Sequence, residues 1–317
     1  MKVCNFRYLA ALAASALCAS VIGCGSISPD NDAPQLTPRF PSDVQASVAR
    51  LDGAAHRPIV GLVLGGGGLR GFAHVGVLRA LEEAGIRPDI VVGTSAGAVV
   101  GAAYASGKSW SQVDEAARGV KLSSLLDLTF STGGVMRGDN LARWVDSVTG
   151  GVPIEGFPVR FAAVATDLQS QRAVVLDRGT AGRAVQASAA VPGINVPVAY
   201  PGGHLVDGGA SSLVPVRVAR AMGADIVIAV DIYCNEPPSG GLAAPAVIFS
   251  VMHSQSCRIA ESEMAEADVL IAPSIGTLKM SEKLQHQRAM EAGYLAAREK
   301  LPMVSARVAT FRIASSL

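Results

Sequence analysis

The chain has 317 residues, half of them apolar and 17% charged, enough to bury one large core. Its 27 basic and 26 acidic side chains leave a formal charge of +1. That balance excludes the basic footprint of a nucleic-acid-binding surface.

Residues 1–23 carry Lys2 and Arg7 ahead of an apolar run from Tyr8 to Ile22 and close on small residues, the layout of a secretory signal peptide. The run is short beside the about 20 apolar residues of a membrane span. "VIG" before Cys24 resembles the bacterial lipobox, which makes Cys24 the candidate for lipidation and residues 1–23 the segment removed. Gly25 rather than an aspartate follows it, so in a Gram-negative cell the expected location is the outer membrane, facing the periplasm. Residues 24–58, with Pro29, Pro34, Pro38 and Pro41 among polar residues, read as an extended tether. Cys4 and Cys18 leave with the signal, so Cys234 and Cys257 are the two that can pair in an exported chain.

Residues 59–317 form the body, where apolar runs alternate with helical stretches. "PIVGLVL", "DIVVGTS", "VRFAAVATDL", "QRAVVL", "GADIVIAVDIY" and "ADVLIAP" read as strands, and "RGFAHVGVLRALEEAG", "MRGDNLARWVDSVTG" and "MSEKLQHQRAMEAGYLAAREKL" as helices. The alternation predicts an α/β fold with a mostly parallel central sheet flanked by helices.

A glycine run, Gly65 to Gly68, follows the first strand. Gly66, Gly68 and Gly71 satisfy a dinucleotide-binding pattern, but Asp89, the acid at the required distance, stands at the start of the next strand instead of its end. No Lys-Ser or Lys-Thr closes the run as a phosphate-binding P-loop needs. What remains is a set of backbone N–H groups beside a helix N-terminus, with Arg70 adjacent, suited to a phosphate or a transient oxyanion.

Gly93-Thr94-Ser95-Ala96-Gly97 fits G-x-S-x-G, the turn that lifts a nucleophilic serine out of a strand end. The same residues also suit a helix N-cap. A serine nucleophile needs a base. His204 lies in an apparent hairpin turn, His253 on a helix and His286 in a charged helical stretch that reads as surface, while His74 precedes the serine and reads as structural. Asp207, ahead of Gly208 and Gly209, is the better-marked acid, with Asp167, Asp225 and Asp231 as rivals.

Taken in order, "GGGGLRG", "GTSAG", "ASAAVP" and "DGG" resemble the patatin-like phospholipase family. The resemblance implies a patatin-like three-layer sandwich and a Ser95–Asp207 dyad that works without histidine. It assigns Gly66, Gly67 and Gly68 to the oxyanion hole, Arg70 and Gly71 to support of that loop, and Gly93 and Gly97 to the elbow. It further implies an acyl-enzyme route to hydrolysis of phospholipid or lysophospholipid esters, with no cofactor or metal. The expected partners are a lipid substrate and the membrane reached through the N-terminal anchor. An acyltransferase with the same dyad, or a non-catalytic lipid-binding envelope protein, is the alternative. Fatty-acid labelling checks the anchor: the wild-type chain is expected to take up label, and Cys24→Ser to take up none and to leave the membrane fraction.

Overall fold

The computed structural model of the chain describes residues 35–47, 57–236, 241–276 and 283–314. The signal segment, Cys24 and the tether apart from residues 35–47, 57 and 58 lie outside the described residues.

After α1 (Pro41–Ser47) the body opens with β1 (Val60–Leu64), α2 (Phe72–Glu83), β2 (Ile90–Thr94) and α3 (Ala96–Ala105). Helix α4 (Trp110–Gly119), capped by Ser109 and Gln112 in a reciprocal capping box, leads to a hairpin, β3 (Leu128–Ser131) and β4 (Gly134–Met136), and to α5 (Asp139–Thr149). Next come β5 (Arg160–Asp167), β6 (Arg172–Leu176), α6 (Ala181–Ser188), β7 (Val198–Tyr200) and β8 (Gly203–Asp207). After these follow α7 (Val216–Ala221), β9 (Ile226–Val230), α8 (Ala244–Met264), β10 (Val269–Ile271) and α9 (Lys283–Ala314).

The main sheet runs β10-β9-β1-β2-β5-β8-β7, with β6 on β5. Strands β10, β9, β1, β2 and β5 are parallel, and β6, β7 and β8 join antiparallel. Every residue of β1, β2 and β9 is buried, as parallel strands covered on both faces require. Alternate side chains feed two cores. Leu62, Leu64, Val91, Ala163 and Ile228 pack toward α2, α3, α6 and α9, whereas Val63, Val92, Ala162, Val164 and Val227 pack toward α1, α7 and the far half of α8. The result is the three-layer α/β sandwich expected from the sequence. Strand β1 lies between β2 and β9, so the glycine run at its carboxyl end opens into the crevice where such sheets bind ligands.

Two expectations are corrected. Residues 35–47 are not extended tether: Leu36 and Val44 are buried, Arg39 exchanges main-chain hydrogen bonds with Val175, and Arg39 pairs with Asp177 at 2.8 Å. Leu36, Phe40 and Val44 stand four apart and all meet the body, which the prolines between them masked. His286 is buried rather than surface, its ring stacked on Phe72 at 4.2 Å. Helix α9 lies that close to α2 because a Cβ on Gly76 would meet the Met290 carbonyl and one on Gly293 the Ala73 carbonyl. Cys234 and Cys257 form a disulfide, Cα to Cα 5.4 Å, joining the segment after β9 to α8.

Candidate active site

Ser95 occupies the corner between β2 and α3 with φ 54° and ψ −119°. A non-glycine residue at such angles costs about 1–3 kcal/mol and persists only where its surroundings enforce it. The enforcement is visible: the Ser95 amide donates to Ser188 Oγ at 2.9 Å, and Ser188 Oγ donates to the Val164 carbonyl at 2.6 Å. Thr94 Oγ1 donates to the Ser212 carbonyl at 2.8 Å and ties the last residue of β2 to the segment after β8. The flanking glycines serve close approach rather than positive φ. A Cβ on Gly97 would enter the Leu64 carbonyl, and one on Gly93 would enter the first turn of α3. Gly71, in the neighbouring loop, likewise permits close approach, since a Cβ there would press on Ala96 at 3.0 Å.

Strand register brings Asp207 to this corner. On β5, β6 occupies one edge along Ala163–Asp167, so β2 and β8, which both overlap it, share the other. There Thr94 pairs with Val164 and Asp207 with Ala165, the very next residue. A parallel strand ending and an antiparallel strand ending therefore abut, and their next side chains share one site. Ala190 O accepts from the Asp207 amide at 2.8 Å and Thr166 Oγ1 donates to the Asp207 carbonyl at 3.0 Å. The Gly209 amide donates to Asp207 Oδ1 at 2.7 Å. Both Ser95 and Asp207 are only 8% exposed. Burial raises the Asp207 pKa from 3.8 to about 6, against the opposing pull of hydrogen bonds from the Ser95 hydroxyl and the Gly209 amide.

The rival acids are occupied in building the fold. Asp167 accepts from Ser170 and Tyr200, Asp225 from the Ile59 amide, and Asp231 from the amides of Tyr233 and Cys234. Asp89 holds Arg57 and the Val60 amide. Three of the described histidines have positions of their own. His204 lies on β8 rather than in its turn, and His253 is buried against the Tyr233 ring at 4.3 Å. His74 is fully buried and hydrogen-bonded to the Gly65 carbonyl at 2.8 Å; burial lowers its pKa to about 4 and keeps it neutral, so Nε2 is the donor. It pins the root of the glycine loop.

The loop itself departs from the expectation at Gly66. Its amide donates to the Leu213 carbonyl at 3.0 Å and is not free for an oxyanion. Gly67 and Gly68, next along, have amides that no carbonyl outside the short turn they enter accepts among the described residues, and Gly68 sits at φ 58°. Arg70 turns to the loop after β10, with Nε on the Gly276 carbonyl at 3.2 Å and its guanidinium 5.5 Å from the Tyr233 ring. It braces the glycine loop from outside.

Two cavities meet at Ser95. One, about 280 Å³, is walled by apolar side chains that include Phe72, Val75, Val99, Leu125 and Trp144. The other, about 110 Å³, runs past Gly67, Gly68 and Asp207 to Tyr233, Phe249 and Met252. Sequence reading did not find these walls, because they come from α2, α3, α4, α5 and α8, each of which reads separately as ordinary core or surface.

A family model described as patatin-like phospholipase matches residues 62–220, a span that contains the glycine loop, Ser95 and Asp207. The chain belongs to the patatin-like phospholipase family. An NTE family protein of Mycobacterium tuberculosis is 36% identical over 224 residues, covering 69% of this chain and 60% of the relative. Patatin-like phospholipase domain-containing protein 6 of Homo sapiens is 37% identical over 199 residues, covering 60% of this chain and 14% of that protein. The chain thus spans less than two thirds of the length of either relative. VipD from Legionella pneumophila shares the fold, with a TM-score of 0.53 at 16% identity over 77% of this chain and 66% of that one.

Two outcomes follow from the patatin-like site. Ser188→Ala strands the buried Ser95 amide, so it is expected to lower stability by about 1–3 kcal/mol in urea unfolding and to reduce kcat more than it changes KM. Asp207→Asn should instead stabilise the fold. A folded-state pKa of about 6 against 3.8 means that the ionised carboxylate costs the native state about 3 kcal/mol at pH 7. The cost is absent below the unfolded pKa near 4 and complete once pH rises past 6. The gain from the substitution is therefore expected at neutral pH and should vanish toward pH 4, read from unfolding midpoints of both chains across that range.

Proposed function

We propose that this protein is a serine acyl hydrolase that cleaves fatty-acyl esters of phospholipids or lysophospholipids. The observation that carries the reading is the strained Ser95 beside a desolvated Asp207 at the mouth of an apolar chamber. An acyl chain in that chamber leaves the ester carbonyl at Ser95 and the polar remainder of the lipid on the Asp207 side. Asp207 accepts the Ser95 proton as Oγ attacks the carbonyl carbon, and the amides of Gly67 and Gly68 take the negative charge of the tetrahedral oxygen. One such donor is worth about 2.7–4 kcal/mol. The intermediate collapses as the proton passes from Asp207 to the departing alcohol. Water then gives a proton to the same carboxylate as it attacks the acyl-serine, and the second tetrahedral intermediate breaks its bond to Oγ as Asp207 returns that proton to Ser95, releasing the fatty acid.

The raised pKa serves this chemistry. An aspartate with an ordinary pKa near 4 is a weak base for an alcohol, whereas one near 6 is stronger and still mostly ionised at pH 7. Export through residues 1–23 and lipidation at Cys24 would hold the enzyme at an envelope membrane where such substrates lie; this belongs to the same proposal and rests on the sequence alone.

The test is phospholipid hydrolysis by the full chain with a chelator present, beside Ser95→Ala and Asp207→Asn. Both variants are expected to fold and to lose activity by on the order of 10⁴-fold or more. For the wild type, kcat/KM should rise with pH through about 6 and then level, since the ionised form of Asp207 is the competent one. Retained hydrolysis in folded Asp207→Asn would remove Asp207 as base.

A further inference from the structure

Two apolar surfaces flank the mouth of the site, and neither is covered by any described segment of the chain. The first is the β3–β4 hairpin, on which Leu128 is 82% exposed, Phe130 fully exposed and Val135 54% exposed. It continues from the turn Leu122–Leu125, whose leucines line the chamber at Ser95. Its second strand is fastened to the segment behind Val191, which borders both cavities: the Val135 amide donates to the Ile194 carbonyl and the Val196 amide to the Met136 carbonyl, each at 2.8 Å.

The second is the first half of α8. From Ala244 to Cys257 this helix has no Asp, Glu, Lys or Arg, and Ile248 and Val251 are more than half exposed, with Leu242 nearly bare just before it. Phe249 and Met252 on the same turns line the Asp207 cavity. The other half of the helix is firmly held. Cys257 is joined to Cys234, and buried Glu263 accepts from Ser212 Oγ at 2.8 Å and from the Arg217 amide at 2.9 Å. Helix α8 is thus anchored at one end and presents an uncharged, water-facing apolar end beside the catalytic cleft.

Exposed apolar side chains grouped in this way mark a binding surface. The charge pattern selects the partner. Across residues 121–143 the exposed charged side chains are all cationic: Lys121, Arg137 and Arg143. The acids in that stretch turn inward, Asp127 to the amides of Gly138 and Asn140 and Asp139 to Gln186. An apolar tip whose flanking sequence exposes only cations suits hydrocarbon beneath a phosphate layer, with long basic side chains reaching the headgroups. Among the described residues no helix is long and apolar enough to cross a membrane. We infer that the β3–β4 hairpin and the amino-terminal half of α8 together seat the enzyme on a phospholipid bilayer surface, so that a lipid enters both cavities from the membrane plane. The inference rests on the lipid-ester reading of the site and adds the surface that presents the substrate to it.

The test places a reporter at each surface of the full chain, Phe130→Trp and Ile248→Trp in separate variants. Vesicles of phosphatidylcholine and phosphatidylglycerol containing brominated phosphatidylcholine are added, and emission is compared with that of the parent chain. Quenching at both new tryptophans is expected whatever the N-terminal segment does, because the reporter is local. A Phe130→Asp, Ile248→Asp double variant is expected to lose about tenfold or more of its vesicle hydrolysis while cleaving a monomeric, water-soluble short-chain ester at the parent rate. No quenching at either position, or full vesicle activity in the double variant, overturns the inference. A parent dimer in sedimentation that the double variant abolishes, with both tryptophans unquenched, assigns the surface to a second copy of the chain and overturns it too. Quenching without cleavage of any ester would leave the bilayer surface standing and sink the hydrolase reading instead.

Discussion

The hydroxyl of Ser188 is the constraint on which the site depends. It accepts the hydrogen bond that keeps the Ser95 amide satisfied at a positive φ, and it donates its own hydrogen bond to the Val164 carbonyl. Two residues later the same segment supplies the Ala190 carbonyl that holds the Asp207 amide. One short stretch at the end of α6 therefore fixes both Ser95 and Asp207 to the middle of the sheet. Without it, a serine in an unfavourable backbone region and a carboxylate out of water would each relax toward lower energy.

The carboxylate shows how stability and chemistry oppose each other here. Taking Asp207 out of water destabilises the folded chain at neutral pH, and in the proposed reaction that same desolvation makes the carboxylate the stronger base. The sheet offsets the penalty through dense packing on both faces. In the glycine loop His74 and the Leu213 carbonyl immobilise the base, while among the described residues no carbonyl outside their own short turn accepts the Gly67 and Gly68 amides. Rigid donors need no reorganisation when charge develops, which is why such loops are built on strand ends.

Around this fixed centre the walls are contributed by elements far apart in sequence. Helices α2 to α5 enclose the apolar chamber and α8 closes the other side. The disulfide and Glu263 clamp the far half of α8 to the segments that follow β9 and β8. The exposed apolar side chains of its uncharged near half, like those of the β3–β4 hairpin, stay in water within the isolated chain, and their composition makes physical sense only where something other than water meets them.

Much of this was legible in the residues. Apolar runs separated by helical periods declare a parallel α/β sheet, because only buried strands tolerate "GLVL" and "IVVGT" without polar alternation. Gly93, Ser95 and Gly97 declare a sharp corner, and Asp207 before two glycines declares a carboxylate close to backbone. Local pattern fails where a residue's role depends on a distant partner. Gly66 looks equivalent to Gly67 until Leu213 arrives to take its amide, His286 looks solvated until α2 covers it, and residues 35–47 look like tether until β6 accepts Arg39 as a partner. Above all, the family resemblance pairs residues 95 and 207, but the local pattern of neither segment says how they meet. That is decided by β5, whose single free edge is shared by the end of one parallel strand and the end of one antiparallel strand, so that register sets Ser95 beside Asp207.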